Sequence, residues 1–284
     1  MNPVEYANLY WNLKVNVGPN HSVKVPVTRY QSGKEASPGK DPLYSKLKQF
    51  FHEKKKADPN WIWHPDIPRD LFPWVGQFGF FNIDQMIHGL VRAYCGKGTP
   101  EWLSFAMHCA VKFKLTTPES LPAYAATNLG IDCSGFVGNY ILHGFLPLHG
   151  FYMQSKSGQT SRGPSSLITA LACPPYLKRM DEFQTSSTYV LGMIAKDGHM
   201  PAGNGDTGHV MVTVPNSNKP SPAFVGSHKT GPDSYTVSVV ESRGKVGLGE
   251  PSDYTFLSVD KDSNFLVYRG GSKSTMRVKV TKLV

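Results

Sequence analysis

The spacing of apolar positions changes character along this 284-residue chain. Near the start, NLKVNV (12–17) and SVKVPVTRY (22–30) alternate apolar and polar residues, the period of a half-buried strand, and QSGKEASPGK (31–40) reads as a loop. Residues 41–56, DPLYSKLKQFFHEKKK, change to helical spacing, with Asp41 as cap and Pro42 in the first turn. Residues 82–95, capped by Asn82, and 100–113, with Pro100 in the first turn, predict two more helices. Between these, WIWHPDIPRDLFPW (61–74) is too rich in proline and aromatic residues to be regular. A fourth helix is predicted to start at residue 133. Asp132 has the chemistry of an N-cap for the Gly135 N–H, Phe136, Val137, Tyr140 and Ile141 recur on one face, and Gly144 suits a C-terminal cap. After a long loop-rich stretch, HVMVTV (209–214) and SYTVSVVES (234–242) alternate as strands. Helices followed by strands, rather than alternating with them, predict an α+β fold.

Composition narrows the class. No run of about 18 apolar residues occurs, so no membrane span is expected. The opening MNPVEYANLYWNLKVNVG has no basic segment leading into an apolar core, so no classical signal peptide is expected. The net charge of +9 is spread along the chain. Its densest run, HEKKKADP (52–59), reads as the solvated last turn of a helix. No nucleic-acid-binding motif accompanies the charge, so no nucleic-acid partner is expected, whereas an anionic polymer such as a cell wall remains compatible with it. Cys95, Cys109, Cys133 and Cys173 are widely spaced with no C-x-x-C pair. That argues against a structural zinc site or a disulfide scaffold and for reduced thiols.

One of those cysteines stands out. GIDCSGFVGNYI (130–141) sets Cys133 at the first helical position, where the helix dipole and unpaired N–H groups favour a thiolate, with small neighbours on its C-terminal side. A structural cysteine in a capped helix is the plain alternative. A nucleophilic thiol needs a base. Among ten histidines, His209 is delivered by the glycine-rich PAGNGDTG to the start of a strand, whereas His108 and His143 fit ordinary helix positions. If the two strands pair antiparallel with Val214 opposite Thr236, His209 faces Glu241, which can orient the imidazole. A one-residue slip puts Ser242 there instead. A zinc site from His199, Asp206 and His209 has loose spacing and no H-E-x-x-H, so no metal and no cofactor are expected.

GIDCSGFV followed by GDTGHVMVTV resembles the NlpC-type branch of papain-like cysteine peptidases. The resemblance implies an antiparallel sheet packed against a Cys-bearing helix over residues 98–284, with 1–97 an additional N-terminal accessory region. It implies hydrolysis of amide bonds in peptidoglycan stem peptides, with Cys133 as nucleophile, His209 as base and Glu241 as the third polar group. Tyr124, nine residues before the cysteine, matches a tyrosine that assists the oxyanion site, although AATNLG replaces the usual Trp-Gly-Gly after it. Asp132 and Ser134, flanking the thiol, are further oxyanion or substrate-binding candidates. Alternatives are an amidase or acyltransferase on a different substrate, and an inactive wall-binding module. An N-terminal region without a signal peptide favours an antibacterial effector made in the cytoplasm and exported by a specialised secretion system to the periplasm. Its expected partners are peptidoglycan and a cognate immunity protein.

Overall fold

In a computed structural model, helices come first and strands later, but the strands do not form the expected sheet. The structure describes residues 1–18, 20–31, 42–60, 83–145, 172, 174–194, 208–244, 246–272 and 275–283. The loop 32–40, the caps Asp41 and Asn82, the segment 61–74, Cys173, His199 and Asp206 lie outside these residues.

Helix α1 (Pro3–Trp11) begins with a reciprocal cap: Asn2 Oδ1 accepts the Glu5 N–H at 2.9 Å and Glu5 Oε2 accepts the Asn2 N–H at 2.8 Å. Sequence reading placed only strands and loops in this stretch. The Asn2-Pro3-x-Glu5 pattern is a helix start, and two of the three aromatic residues of the helix, Tyr6 and Tyr10, are buried. Strands β1 (Leu13–Gly18) and β2 (His21–Val25) form an antiparallel hairpin. Helices α2 (Pro42–Ala57), α3 (Ile83–Tyr94) and α4 (Pro100–Lys112) fall near the predicted spans, and α5 (Leu121–Asn128) is additional. Helix α6 (Cys133–Asn139) is short and runs into a π-helical turn, Tyr140–Phe145, that contains the expected cap Gly144.

The remaining strands are β3 (Tyr189–Met193), β4 (Val210–Thr213), a small hairpin of β5 (Phe224–Val225) and β6 (His228–Lys229), β7 (Tyr235–Val240), another of β8 (Ser242–Arg243) and β9 (Gly247–Leu248), then β10 (Ser252–Val259), β11 (Phe265–Arg269) and β12 (Thr275–Lys282). Six of them close in the order β10-β11-β12-β3-β4-β7, every pairing antiparallel and β7 returning to β10. This corrects the expected fold class. The papain-like α+β arrangement, an antiparallel sheet packed against a Cys-bearing helix, gives way to a closed six-stranded barrel. The alternating inward residues of these strands fill a shared interior, and a closed sheet leaves no unpaired edge.

Two cores result. Alternate residues Leu191, Met211, Val239, Tyr254, Phe256, Phe265, Val267, Val278 and Val280 fill the barrel. Their neighbours Val190, Val210, Val212 and Val240 point outward into a second core with the helices, so β3 and β4 are buried on both faces and carry continuous apolar runs. Residues from α1, β1, β2 and α3 belong to that same helical core, together with Phe136, Val137 and Tyr140 of the Cys133 segment. Tyr6 and Tyr10 lie 6.0 and 6.1 Å, ring to ring, from Phe136.

Candidate active site

Cys133 opens α6 where the chain is clamped from three sides. The Asp132 carboxylate accepts the Gly135 N–H at 2.6 Å, as an N-cap must. The Asp132 N–H donates to Gly96 O at 2.9 Å, and the Ile131 N–H donates to Arg29 O at 2.9 Å. From the barrel side, the buried Ser242 hydroxyl donates to Ile131 O at 2.5 Å. Gly135 is required by this contact. A Cβ there would sit 2.1 Å from Gly96 O, a backbone atom that cannot swing aside.

Lys97 completes the clamp. Its Nζ lies 2.6 and 2.5 Å from the two Asp132 oxygens and also donates to Ser134 Oγ, which itself donates to Asp132 Oδ1 at 3.1 Å. Asp132 and Ser134, expected at an oxyanion or substrate site, are therefore committed to one another, to the cap and to Lys97. Tyr124, expected to assist the oxyanion, has its hydroxyl 2.9 Å from that of Tyr94. As the first two residues of α6, Cys133 and Ser134 present backbone N–H groups that the helix does not use.

His209 and Glu241 sit at the ends of β4 and β7. The pairing sets Val212 opposite Val240 and Thr213 opposite Val239, two residues away from the expected register. His209 and Glu241 lie just beyond the paired residues, before Val210 and after Val240. A slip of two leaves every side chain on its original face, so Glu241 still lies beside His209. His209 Nε2 is 2.6 Å from Glu241 Oε2. Ser242, one residue on, faces the helical layer instead and holds the Cys133 segment.

The Cys133 side chain is close enough to His209 to act on its protonation. With Nε2 engaged by Glu241, the nitrogen left for the thiol is Nδ1. Burial opposes charge on His209, but the hydrogen bonds and charges of Cys133 and Glu241 outweigh it and raise its pKa from 6.5 to about 9. For Glu241, burial pushes the pKa up, yet His209, Tyr254 and Arg243 together bring it below the ordinary range. Its Oε1 accepts from Tyr254 at 2.8 Å, with Arg243 Nε at 3.3 Å and Arg269 Nη1 at 3.8 Å. The Glu241 carboxylate thus stays ionised and holds the imidazole in one orientation.

Cys133 is only 2% exposed, while the His209 side chain is 16% exposed. The pair is recessed where the helical layer meets the barrel rim. Cys95, Cys109 and Cys133 are free thiols, and burial raises the pKa of Cys95 and Cys109. Among the described residues no group of three His, Cys, Asp or Glu is placed to hold a metal ion, and no helix is long and apolar enough to cross a membrane.

Sequence reading missed Lys97, Tyr254, Arg243 and Arg269. Arg243 could have been found, since ESR places it two residues beyond Glu241 and hence on the same strand face. The other three come from distant segments and carry no local signal. Comparison with protein-family models, with curated proteins and with solved structures found no match.

Proposed function

We propose that this protein is a cysteine-dependent amidohydrolase in which Cys133 is the nucleophile, His209 its base and then acid, and Glu241 the group that orients His209. The observation that carries this reading is the buried His209 Nε2–Glu241 Oε2 contact of 2.6 Å, with the Cys133 side chain acting on the same imidazole from a helix start. A buried carboxylate beside an imidazole beside a thiol is the arrangement that activates sulfur for acyl transfer.

In the proposed reaction His209 Nδ1 holds the proton taken from the Cys133 thiol, and the sulfur attacks the amide carbonyl carbon. The carbonyl electron pair moves to oxygen, where the free N–H groups at the start of α6 are suited to stabilise it. As the tetrahedral intermediate collapses, the C–N bond breaks and the amine leaves with the proton from His209. The thioester that remains is attacked by water, whose proton passes to His209 and then back to sulfur as the acid product departs. Glu241 stays ionised throughout and stabilises the imidazolium at each stage.

The substrate class we favour is the amide bonds of peptidoglycan stem peptides. The Asp132-Cys133-Ser134-Gly135 and Gly208-His209 motifs support it, and a chain of charge +9 suits a polymer bearing carboxylates. The test is mass spectrometry of purified peptidoglycan fragments after incubation with the native protein and with Cys133→Ala. Stem-peptide products are expected from the native protein, with a loss of at least ~1,000-fold in the variant. Undiminished turnover by Cys133→Ala would remove the nucleophile assignment, and absence of products from the native protein would remove peptidoglycan as the substrate.

A further inference from the structure

Glu241 is surrounded by more positive charge than one carboxylate neutralises. Oε2 is taken by His209, while Oε1 already accepts from Tyr254 and has Arg243 Nε at 3.3 Å and Arg269 Nη1 at 3.8 Å. Two guanidinium cations therefore share one oxygen at a contact that is close for Arg243 and loose for Arg269. Each guanidinium has five N–H donors, and Glu241 engages only one from each. Arg269 Nε is buried without a hydrogen-bond partner among the described residues. The two side chains keep 28% and 27% of their surface exposed, so both can be reached from solvent beside Glu241 even though Arg269 Nε is buried. The rim beside the thiol thus gathers Arg243, Arg269 and His209 around the single carboxylate of Glu241. Asp132, the acidic residue next to Cys133, does not offset this, because Lys97 neutralises it.

We propose that Arg243 and Arg269 form a carboxylate-binding subsite, so that the substrate carries a free carboxylate close to its scissile amide. The inference rests on the cysteine-amidohydrolase reading and deepens it. The planar guanidinium fork matches a carboxylate in two parallel hydrogen bonds, which fixes orientation as well as charge. Arg243, with Nε 3.3 Å from Glu241 Oε1 against 3.8 Å for Arg269 Nη1, makes the closer contact with the carboxylate that orients His209. A substrate held there is anchored through its carboxylate while its carbonyl faces the sulfur, the pre-positioning that turns binding into rate.

The test uses two reagents of nearly equal size on the full-length protein, neutral iodoacetamide and anionic iodoacetate. Both alkylate sulfur, so the ratio of their rates at Cys133, read by peptide mass spectrometry, cancels any change in thiol reactivity. Relative to the same ratio for glutathione, the native protein is expected to favour iodoacetate by about tenfold. In Arg243→Gln and in Arg269→Gln the ratio should fall towards that of glutathione, and in Arg243→Lys it should largely persist. In the native protein it should also fall between 0.1 and 1 M salt, as the screening length drops from about 10 to about 3 Å. A native ratio equal to that of glutathione at low salt overturns the subsite while leaving the nucleophile intact. If iodoacetamide modifies Cys133 no faster than Cys95, the amidohydrolase reading itself fails, and the subsite with it. The salt series needs no variant, so a poorly folded arginine mutant does not block the outcome.

Discussion

Replacing Glu241 by Gln isolates what the buried carboxylate does. The change keeps the shape and removes the charge from a side chain whose two oxygens face His209, Tyr254, Arg243 and Arg269. His209 titrates at about 9 rather than 6.5, which at 1.36 kcal/mol per tenfold change in proton affinity is roughly 3 kcal/mol in favour of the imidazolium. Cys133 and Glu241 supply that preference against the cost of burial. An opposite charge in hydrogen-bond contact is worth about 1–3 pH units, so without it the His209 midpoint should fall by at least about one. The direct assay is an NMR titration of protein labelled at histidine Cε1, with the His209 signal assigned by its loss in His209→Gln. The sign of the linkage follows. Because the folded midpoint is raised, the contribution of His209 to stability is complete below about 6.5 and is lost as pH rises through about 9. The melting temperature of the native protein should therefore drop more steeply than that of Glu241→Gln between these values. A native midpoint near 6.5, or the same midpoint in both proteins, would refute the proposed electrostatic coupling.

Other consequences concern the clamp on the Cys133 segment. Lys97→Met strands the buried Asp132 carboxylate, and since Lys97 is partly exposed the cost should be about 2 kcal/mol, below the roughly 3–5 kcal/mol of a fully buried pair. Thermal unfolding at neutral pH checks this, and an unchanged Tm would mean the ion pair is idle. Gly135→Ala drives a methyl into Gly96 O and should both destabilise the fold and slow alkylation of Cys133. Normal stability with a normal alkylation rate would show that the helix start is looser than its packing implies.

The motifs around Cys133 and His209 are local, and local physics made them legible. An aspartate followed three residues later by glycine caps a helix through an interaction that spans a single turn, and the Asp132–Gly135 bond is where the sequence pattern puts it. Strand alternation likewise put His209 and Glu241 on a common face. The register assumed for them was two residues out, but the period-two geometry of a strand carries a side chain back to its original face after an even slip. Had the slip been odd, Ser242 would have stood beside His209, and the structure shows it turned the other way to hold Ile131 O.

What stayed hidden depends on contacts between distant segments. Lys97 meets Asp132 only because the turn between α3 and α4 lies against the start of α6, and no pattern within CGKG announces that. Tyr254 and Arg269 reach Glu241 only because β7 pairs with β10 and β10 with β11. The sequence by itself determined the helix cap under Cys133, the strand faces of His209 and Glu241 and the absence of any long apolar span, since each depends on neighbours a few residues apart. The tertiary structure alone decided that the strands close into a barrel, that α1 packs against the Cys133 helix and that two arginines crowd one carboxylate. Closure and packing pair residues far apart in the chain, and the free energy that selects such pairings belongs to the whole fold rather than to any one segment.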